Sequence, residues 1–582
     1  MSLVLGLASS HDASACVFRD GVLVAAIAEE RLSRIKCDGG RLPDRAIERV
    51  LAMAGANRRD VDVIASIYGH FPEAYFRRET AAKEIERQVS RLAKKLQGRE
   101  SETQFSSSNL LKHLRKTGEP FTAYFRREDF LEGEGFRPDC DIRFYDHHLT
   151  HAAAAAHYSG YDRAAVVTID GEGDLGIFHT ASRWAGGRLQ LDRTSDAPGA
   201  SPGFFYEIIT KLLGFRPLRH EGKILGLAAH GDPAPLDEAF RRALRPTADG
   251  TGFESDFAGE EKPHDARAAY LAEAIRGHSR ENVAAATQDV FEKAVLTVIR
   301  GYLAETGEHR LAVNGGVFAN VKLNQRLAAL PGVEGVFVFP GMSDTGNSVG
   351  AALLALDEAR PGYLGRNAPL QDVYWGPAFD DAEIEAELTR QGLAWEKLDA
   401  AALVDRAARA MHANRVVGWF QGRMEFGPRA LGNRSMVAAP TDREINRTLN
   451  ERLDRTEFMP FAPSVLAERA EALFDNVPPC AHTAEFMTIT CDVKPEWHER
   501  IPAVVHVDGT ARPQLVRADR NPLYHALISR YAELSGIPVV LNTSFNVHEE
   551  PIVCGPEEGV RALAEDRIDD LAIGRYWVAG KP

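Results

Sequence analysis

Residues 146–173 read DHHLTHAAAAAHYSGYDRAAVVTIDGEG, and this stretch carries the features on which the fold depends. Its first half predicts a helix, because alanine is the best helix former and nothing interrupts the alanine run. His147 and His151 stand four residues apart, so both imidazoles leave the same face of that helix. The apolar run 164–169 then predicts a buried strand that ends at Asp170.

The two histidines and the carboxylate make a candidate metal site. Imidazole nitrogens from a helix and a carboxylate oxygen at a strand end are a mixed donor set that suits iron, zinc or manganese. A lone pair of histidines four apart on a helix is more often a surface or core feature than a metal site. A third histidine, His148, and the carboxylate of Asp170 strengthen the metal interpretation, but this stretch alone leaves both interpretations open.

Length, composition and charge narrow the class of protein. A chain of 582 residues is long enough for two to four domains. Its net charge of −14 disfavours general nucleic-acid binding, and no apolar run reaches the roughly 18–20 residues that span a membrane. The chain start lacks the basic segment of a signal peptide, and the cysteines are scattered without CxxC pairs. We therefore expect a cytoplasmic protein with neither a disulfide framework nor a thiolate zinc site.

The same order of elements occurs twice in the first half of the chain. Apolar runs predict two sets of three strands, at 3–7, 14–18 and 22–28, and again at 164–169, 176–179 and 189–191. In each set a polar loop follows the first strand, and these loops carry His11 and Asp170. The repeat predicts a duplicated α/β lobe, as in sugar kinases, actin and chaperone ATPases, which hold a nucleotide phosphate between their first hairpins.

Other loops in this half carry residues of the kind that bind ligands. Gly222 lets the backbone approach a ligand beside the positive charge of Lys223, although the order is not that of a P-loop. A strand ending at residue 313 leads into NGGVFAN, a sequence whose backbone N–H groups suit an anion. Asp344 follows a strand at 335–339 and repeats the arrangement of Asp170, either as a ligand or as a helix cap.

The segment from 71 to about 136 separates the two predicted lobes and is heavily charged. We predict that it is helical. Its basic residues are compatible with an anionic partner, but a solvated helix with interspersed acidic residues is the favoured interpretation.

A Pro-, Gly- and Arg-rich stretch at 359–370 predicts a domain boundary. Beyond it, arginines lie among glycines beside a serine in QGRMEFGPRALGNRS, which favours a polyphosphate site over solvated surface charges. A strand at 538–541 ends in NTSFN, whose amides and hydroxyls either recognise polar ligand groups or satisfy a turn.

With these pieces in order, the chain resembles the bacterial O-carbamoyltransferases of antibiotic and nodulation-factor biosynthesis, the nebramycin, cephamycin and Nod-factor enzymes. The matching segments span the chain and leave only the insertion around 71–136 unmatched: GLASSHDASAC, AEERLSRIK, HHLTHAAAA, TIDGEG, GKILGLAAHG, NGGVFANVKLN, SDTGNSVGAA, GRMEFGPRALGNRS, PFAPS, HVDGTARPQ and LNTSFNVHEEPIV. Taken together, these motifs are highly specific.

The resemblance implies an α/β fold in two domains. Residues 1–362 would form a duplicated actin-like domain of the ASKHA class, similar to the tRNA threonylcarbamoyl-transfer proteins, with the charged helical insertion at about 71–136. Residues 363–582 would form a YrdC-like domain.

The resemblance also implies an ATP-dependent O-carbamoyltransferase. The C-terminal domain would form carbamoyl-adenylate from carbamoyl phosphate and ATP, accompanied by Mg²⁺. The N-terminal domain would pass the carbamoyl group to a hydroxyl of a small-molecule acceptor in secondary metabolism, such as antibiotic biosynthesis. By position, iron(II) or another divalent transition metal would be held by His147, His151, Asp170 and Asp344, and His11 would be the general base.

The remaining ligands that the resemblance implies divide between the domains. In the N-terminal domain, the nucleotide or carbamoyl-adenylate would contact Gly222, Lys223, Asn314, Gly315, Gly316 and Asn320. In the C-terminal domain, ATP and carbamoyl phosphate would contact Arg423, Arg429, Arg434, Ser435, Arg455, Arg512, Asn542, Ser544 and Asn546. The sequence around Arg455 departs from the pattern of the family. Relatives carry a Lys-x-Arg-Glu-x-x-Arg-Pro-Phe-Ala-Pro segment where this chain reads NERLDRTEFMPFAP, which puts part of the phosphate site in doubt.

Two other functions stay open at this point. One is a tRNA-modifying transferase of the threonylcarbamoyl type, and the other is a non-enzymatic, ATP-gated binding module of the ASKHA class. The acidic balance and the YrdC-like half disfavour the first, and the histidine pair disfavours the second. The partners that we expect are ATP, carbamoyl phosphate and a hydroxylated acceptor, with no membrane and no nucleic acid. A homodimer is left open.

Overall fold

The computed structural model describes residues 2–69, 71–76, 124–454 and 460–580. The strands are β1 (Leu3–Ala8), β2 (Ser14–Arg19), β3 (Val22–Ala28), β4 (Val63–Ile67), β5 (Asp141–Tyr145), β6 (Arg163–Ile169), β7 (His179–Ala185), β8 (Arg188–Ser195), β9 (Arg245–Pro246), β10 (Phe253–Glu254), β11 (Arg310–Asn314), β12 (Gly335–Val338), β13 (Glu396–Lys397), β14 (Val417–Phe420), β15 (Arg434–Ala438), β16 (Ala462–Leu466), β17 (Cys491–Asp492), β18 (Thr510–Ala511), β19 (Gln514–Val516), β20 (Val539–Ser544), β21 (Asp570–Ile573) and β22 (Tyr576–Ala579).

The α-helices are α1 (Glu29–Ser33), α2 (Asp44–Met53), α3 (Arg127–Gly133), α4 (His147–Ser159), α5 (Pro202–Leu212), α6 (Glu221–Ala228), α7 (Asp237–Ala243), α8 (Pro263–Ala274), α9 (Arg280–Thr306), α10 (Val321–Ala328), α11 (Asn347–Ala359), α12 (Asp381–Arg390), α13 (Ala400–His412), α14 (Glu444–Arg452), α15 (Ala470–Leu473), α16 (Ala481–Ala484), α17 (Pro495–His498), α18 (Pro522–Ser535) and α19 (Pro556–Ala564).

Two five-stranded sheets in the first half of the chain have the same topology. Their strand orders are β3-β2-β1-β4-β5 and β8-β7-β6-β11-β12. In each sheet the first three strands in sequence form an antiparallel meander, and two later strands add in parallel to the first. This repetition confirms the duplicated actin-like lobe that the sequence predicts.

One predicted strand is misplaced. The sequence predicts a strand at 176–179, whereas β7 begins at His179 and the preceding residues make a turn. Leu175 and Gly176 both have positive φ angles, 62° and 83°, which interrupt an extended backbone. The apolar pattern contains Leu175 but does not reveal this turn.

Helices α4 and α11 pack against each other between the two sheets. The alanines of α4 are buried, and the buried residues of α11 include Gly350, Ala351 and Ala352. A Cβ added at Gly350 of α11 would lie 2.0 Å from the carbonyl oxygen of Thr150 in α4. Only a glycine fits there, and this close crossing brings the first turn of α4 next to the loop before α11.

The second half of the chain forms a separate mixed sheet of eight strands, in the order β13-β22-β21-β14-β15-β20-β16-β19. Helices α13, α18 and α19 pack on it. The fold class is therefore the α/β class predicted, with a duplicated actin-like domain followed by a second α/β domain, and the YrdC-like character of the second domain stays a prediction. The domain boundary at 362/363 stays a prediction.

The two halves share buried contacts. Phe426, Leu431 and Phe486 of the second half belong to the same hydrophobic cluster as the alanines of α4. Arg34 of the first half donates hydrogen bonds to the carbonyl oxygens of Pro551 and Ile552, at 2.7 and 2.8 Å. These contacts fix the loops of one domain against the loops of the other.

Most of the charged segment predicted to be helical lies outside the described residues, which omit 77–123. Its described end contains α3. Within the described part of the chain, no helix has the length and apolar character needed to cross a membrane.

Candidate metal centre and interdomain cavity

His147, His151, Asp170 and Asp344 come together between the two lobes, and their ligand atoms all lie within 4.8 Å of one another. Each histidine presents Nε2 to the same two carboxylate oxygens. The distances from His147 are 3.5 Å to both Asp170 Oδ2 and Asp344 Oδ1, and those from His151 are 3.3 and 3.6 Å. Residues 197 positions apart in sequence, 147 and 344, therefore share one site.

The local sequence explains how these side chains are held. Asp146 caps α4 by accepting a hydrogen bond from the backbone N–H of Leu149 at 2.9 Å. Asp174 accepts one from the backbone N–H of His147 at 2.9 Å, which fixes the first turn of the helix. The carboxylate of Asp170 accepts hydrogen bonds from the backbone N–H groups of Gly171 and Gly316.

The four side chains fit a divalent transition metal. Nε2 of His147 and Nε2 of His151 are both buried and have no hydrogen-bond partner. Buried nitrogens are rarely left in this state, and two imidazoles with two carboxylates are a donor set that binds iron(II), manganese or zinc. The surrounding carboxylates also attract positive charge. Burial by itself would lower the pKa of His147, but Asp344 and Asp170 raise it to about 10.

The neighbouring His148 does not join this group. Its Nδ1 lies 2.7 Å from Thr168 Oγ1 and its Nε2 lies 3.0 Å from the carbonyl oxygen of Ile177. Both ring nitrogens are therefore engaged, and burial lowers the pKa of His148 to about 4. The ring packs beside Gly173, where an added Cβ would lie 2.9 Å from it.

His11 borders the four-residue group. Its Nδ1 lies 3.3 Å from Asp344 Oδ2, and its Nε2 lies 3.5 Å from Asp12 Oδ2. Burial would lower the pKa of His11, but the carboxylates of Asp12 and Asp344 raise it to about 10. The imidazolium form of His11 is therefore strongly favoured by its surroundings.

A cavity of about 470 Å³ lies between the domains and is lined by both. On the N-terminal side it reaches Asp12, Ser343 and Thr345, the sequence neighbours of His11 and Asp344. Of the predicted ligands, it is lined by Gly222, Lys223, Arg429, Arg512, Asn542, Ser544 and Asn546. Residues predicted from distant parts of the sequence thus surround one space.

Three predicted phosphate ligands in the C-terminal domain do not line this cavity. Arg434 is fully buried, and its guanidinium donates to main-chain carbonyl oxygens, including those of Gln421 and Asn433. Arg423 donates to the carbonyl oxygens of Val24 and Trp375. Ser435 accepts a hydrogen bond from the backbone N–H of a nearby glycine. These contacts hold loops together, and the phosphate-binding role of the three residues stays a prediction. Arg455 lies outside the described residues.

The loop at 314–320, predicted to bind the nucleotide, makes hydrogen bonds within the N-terminal domain. Gly316 donates its backbone N–H to Asp170, and Asn314 donates to the carbonyl oxygen of His151 at 2.9 Å. Gly315 has a φ of 104° and packs on Ile169. Asn320 caps α10 and pairs with Gln288. None of these four residues is among those that line the 470 Å³ cavity in the described part of the chain. Asn314 and Gly316 contact His151 and Asp170 of the four-residue group, and the predicted nucleotide contacts of this loop stay predictions.

Glu425 is a site residue that the sequence reasoning missed. One carboxylate oxygen, Oε1, accepts backbone hydrogen bonds from Leu431, Asn433 and Arg434, at 2.7, 2.8 and 3.1 Å. The loop that these bonds close is the one that carries Arg429 into the cavity. The glycines around Glu425 indicate a tight loop. The backbone N–H groups of a tight loop are often satisfied by a buried carboxylate, and this was the signal in the sequence.

His506 was missed as well. It lines the 470 Å³ cavity and a neighbouring one of about 210 Å³. Its Nδ1 lies 3.0 Å from Asp508 Oδ1, whereas its Nε2 is buried and has no hydrogen-bond partner. The HVDGT sequence contained the pair, but the spacing alone did not show that the two side chains meet.

A second group of metal-type ligands, His220, His548 and Glu549, lies at the rim of the cavity. Nδ1 of His220 accepts a hydrogen bond from the backbone N–H of Arg216, so a neutral ring carries its proton on Nε2. That Nε2 donates to Glu549 Oε1 at 2.7 Å, while Arg216 and Arg219 bind Oε2. This arrangement is an ion-pair network between the domains and leaves no lone pair on His220 for a metal.

The sequence matches known protein families over most of its length. Residues 3–353 match the family model described as "Carbamoyltransferase N-terminus", and residues 408–580 match "Carbamoyltransferase C-terminus". The chain is 33% identical to "Nodulation protein NolNO" of Sinorhizobium fredii over 98% of this chain and 79% of that protein. It is 31% identical to "Uncharacterized protein sll1178" of Synechocystis over 100% of this chain and 97% of that protein.

A solved structure of ligand-bound xylulose kinase from Lactobacillus acidophilus aligns at 10% identity over 63% of this chain and 92% of that one, with a TM-score of 0.32. A likeness at this level carries no functional argument. The family models cover both domains in order, and the resemblance in the motifs extends over the same residues. The chain therefore belongs to the carbamoyltransferase family and is an enzyme that carbamoylates a substrate.

Proposed function

We propose that this enzyme forms carbamoyl-adenylate from carbamoyl phosphate, ATP and water, and transfers the carbamoyl group to a hydroxyl of a small-molecule acceptor. Water releases phosphate from carbamoyl phosphate, and the resulting carbamate oxygen attacks the α-phosphate of ATP as pyrophosphate leaves. In the transfer step the acceptor oxygen bonds to the carbamoyl carbon and AMP leaves. The observation that carries the proposal is the shared cavity. Its lining combines the cationic and polar residues Arg429, Arg512 and Ser544 of the C-terminal domain with the neighbours of His11 and Asp344 in the N-terminal domain. An activated intermediate made beside the first group would reach the second within the same cavity.

The C-terminal side of the cavity suits the activation step. Arginine guanidinium groups bind phosphate oxygens with fixed geometry, and Arg429 and Arg512 both line the space. Asn542, Ser544 and Asn546 add amide and hydroxyl groups. Lys223 brings a further positive charge from the N-terminal domain. Mg²⁺ with ATP is expected here, as for other nucleotide reactions.

The N-terminal side suits the transfer step. The acceptor hydroxyl loses its proton as it attacks the carbamoyl carbon, and we assign His11 to take that proton. Asp12 and Asp344 lie beside its two ring nitrogens and would stabilise the imidazolium that results. His147, His151, Asp170 and Asp344 would hold the metal. Iron(II) or a similar ion bound there would supply Lewis-acid polarisation, and its positive charge would offset the carboxylates that raise the pKa of His11.

Two assays test the proposal. The metal-loaded protein should release pyrophosphate from ATP only when carbamoyl phosphate is present, and carbamoyl-adenylate should be trapped when no acceptor is supplied. A panel of hydroxylated natural products, analysed by mass spectrometry for a gain of one carbamoyl group, then identifies the acceptor class. Absence of pyrophosphate release from metal-replete protein would refute the adenylate route, and carbamoylation of tRNA in place of small molecules would refute the acceptor class.

A further inference from the structure

Three polar side chains form a buried triad on adjacent strands of the C-terminal sheet. Ser464 lies on β16, Gln514 on β19 and Asn542 on β20, and they are 0%, 3% and 1% exposed. Ser464 Oγ donates to Gln514 Oε1 at 2.7 Å. Asn542 Nδ2 lies 3.0 Å from Ser464 Oγ and 3.1 Å from Gln514 Oε1.

Two main-chain carbonyl groups fix the orientation of both amides. Gln514 Nε2 donates to the carbonyl oxygen of Leu431 at 2.8 Å, and a carbonyl oxygen only accepts, so Oε1 of Gln514 faces the other two side chains. Asn542 Nδ2 likewise donates to the carbonyl oxygen of Ala430 at 3.2 Å. Turning either amide over would place two acceptors against each other. The network therefore assigns the positions of nitrogen and oxygen.

In this orientation one acceptor oxygen has no donor. Asn542 Oδ1 is buried and has no hydrogen-bond partner. Asn542 lines the 470 Å³ cavity, together with Arg429, Arg512 and Ser544. A buried amide oxygen without a partner is rare in folded proteins, and it is expected to find a donor when the neighbouring space is filled by a ligand.

We propose that Asn542 Oδ1 accepts a hydrogen bond from the amino group of the carbamoyl unit and so selects carbamoyl phosphate over acyl phosphates. The inference rests on the proposed function. Acetyl phosphate has nearly the same size, but it places a methyl group where carbamoyl phosphate has NH2. Its binding would desolvate Oδ1 without giving it a donor, and sites of this kind reject the analogue that lacks the hydrogen-bonding group.

The adenine ring of ATP is the other source of an amino group. The carbamoyl amino group is preferred because only one carbon and one oxygen separate it from the phosphate of carbamoyl phosphate. Arg429, Arg512 and Ser544, which are residue types that bind phosphate, line the same cavity as Asn542. The amino group of adenine lies beyond the ribose and far from the phosphates.

The test compares kcat/KM for pyrophosphate release with carbamoyl phosphate and with acetyl phosphate in wild type, Asn542→Ala and Ser464→Ala. We expect wild type to favour carbamoyl phosphate by roughly 10³-fold or more. Asn542→Ala should reduce this ratio by about 100-fold, mainly through a loss with carbamoyl phosphate. Ser464→Ala disturbs the triad but keeps Oδ1, so it should change the ratio by less than about threefold.

Other outcomes overturn the inference. One is an equal loss of kcat/KM with carbamoyl phosphate and with acetyl phosphate in Asn542→Ala. The other is that Asn542→Ala loses discrimination between ATP and inosine triphosphate, which lacks the adenine amino group. If Asn542→Ala is unfolded by circular dichroism, Asn542→Ser replaces it and should show a smaller fall in the same ratio; an unchanged ratio there also overturns the inference. Wild-type protein without any pyrophosphate release would refute the proposed function itself, and the inference with it.

Discussion

His147, His148 and His151 occupy one turn of α4, yet they have different roles. His147 and His151 turn Nε2 toward Asp170 and Asp344, whereas both nitrogens of His148 are engaged by Thr168 and Ile177. The difference follows from helical geometry, because positions four apart share a face and adjacent positions do not. A residue's neighbours in space, rather than its type, decide whether it can serve as a ligand.

Changing His147 and His151 together tests the proposed metal site. In His147→Ala with His151→Ala, we expect purified protein to lose its transition metal, since two of four donor groups are gone. The measurement is metal content by plasma mass spectrometry after dialysis against buffer without chelator. His157→Gln is a matched control on the same helix, because its Nδ1 contacts the carbonyl oxygen of Leu364 and lies outside the ligand group. Equal metal content in the double variant and the control would contradict the assignment.

Glu485 should make the folding stability of the protein depend on pH. Burial raises the pKa of its carboxyl group to about 7, against the opposing effect of Arg517 and Arg520. An unfolded glutamate titrates near 4.3, so the folded protein binds this proton more tightly than the unfolded one. The contribution of Glu485 to stability is therefore complete at low pH and is lost as pH rises from about 4.5 to 7.

We expect Glu485→Gln to remove this part of the pH dependence, so the variant should gain stability relative to wild type between pH 5 and pH 8. The measurement is the free energy of unfolding by denaturant at the two pH values. Glu471→Gln, at an exposed position, is the control and should parallel wild type. Parallel behaviour of Glu485→Gln would contradict the raised pKa.

Among the elements, the loop between β14 and β15 depends most on a single side chain. Glu425 Oε1 accepts three backbone N–H groups from the far side of the loop. Hydrogen bonds to a charged acceptor are typically worth about 1.5–3 kcal/mol each. Arg429 lies in the middle of this loop, so its position follows from the carboxylate.

In Glu425→Ala we expect the KM for carbamoyl phosphate to rise by about 10- to 100-fold, because Arg429 loses its fixed position. Metal content should be unchanged, since the metal ligands belong to the other domain. Steady-state kinetics and metal analysis on the same preparation separate these effects. Glu451→Ala, on the exposed face of α14, is the control. A normal KM in Glu425→Ala would show that the loop does not need this carboxylate.

The elements were largely predictable, and the contacts between them were not. Alternation and apolar runs located β1 to β3, β6 and β20, and the alanine run located α4, because each of these patterns is local. The main-chain contacts of Arg423 and Arg434 could not be predicted, for a physical reason. Arginine donates as well to a carbonyl oxygen as to a phosphate, and only the fold shows which acceptor is near. The grouping of His147, His151, Asp170 and Asp344 came from the resemblance, since no spacing in the sequence relates residues 147 and 344.

At the scale of the whole molecule, the two domains meet around the cavity and close part of its rim with charged side chains. Glu549 of the C-terminal domain binds Arg216, Arg219 and His220 of the N-terminal domain. It does so with a φ of 62°, a left-handed conformation that is uncommon for glutamate. Burial would raise the pKa of Glu549, but His220 and Arg219 lower it to about 2, so the network is charged at neutral pH.

Opening this network should uncouple the two half-reactions. In Glu549→Ala, we expect pyrophosphate release to continue but the yield of carbamoylated acceptor per pyrophosphate to fall about two- to tenfold, because the intermediate escapes to water. Both products are quantified in one reaction. Glu550→Ala is the matched control, since Glu550 pairs with Arg561 within its own domain. An unchanged yield in Glu549→Ala would show that the rim network does not retain the intermediate.

The hydrophobic cluster that α4 shares with Phe426, Leu431 and Phe486 has a consequence for biosynthesis in the cell. The ribosome completes α11 well before it adds these aromatic and aliphatic side chains, by on the order of ten seconds at about 5–20 residues per second. During that interval the first half's part of the cluster lacks the apolar side chains of Phe426, Leu431 and Phe486. We therefore expect the first half, when expressed alone, to associate with chaperones or aggregate, and to become soluble when the second half is co-expressed.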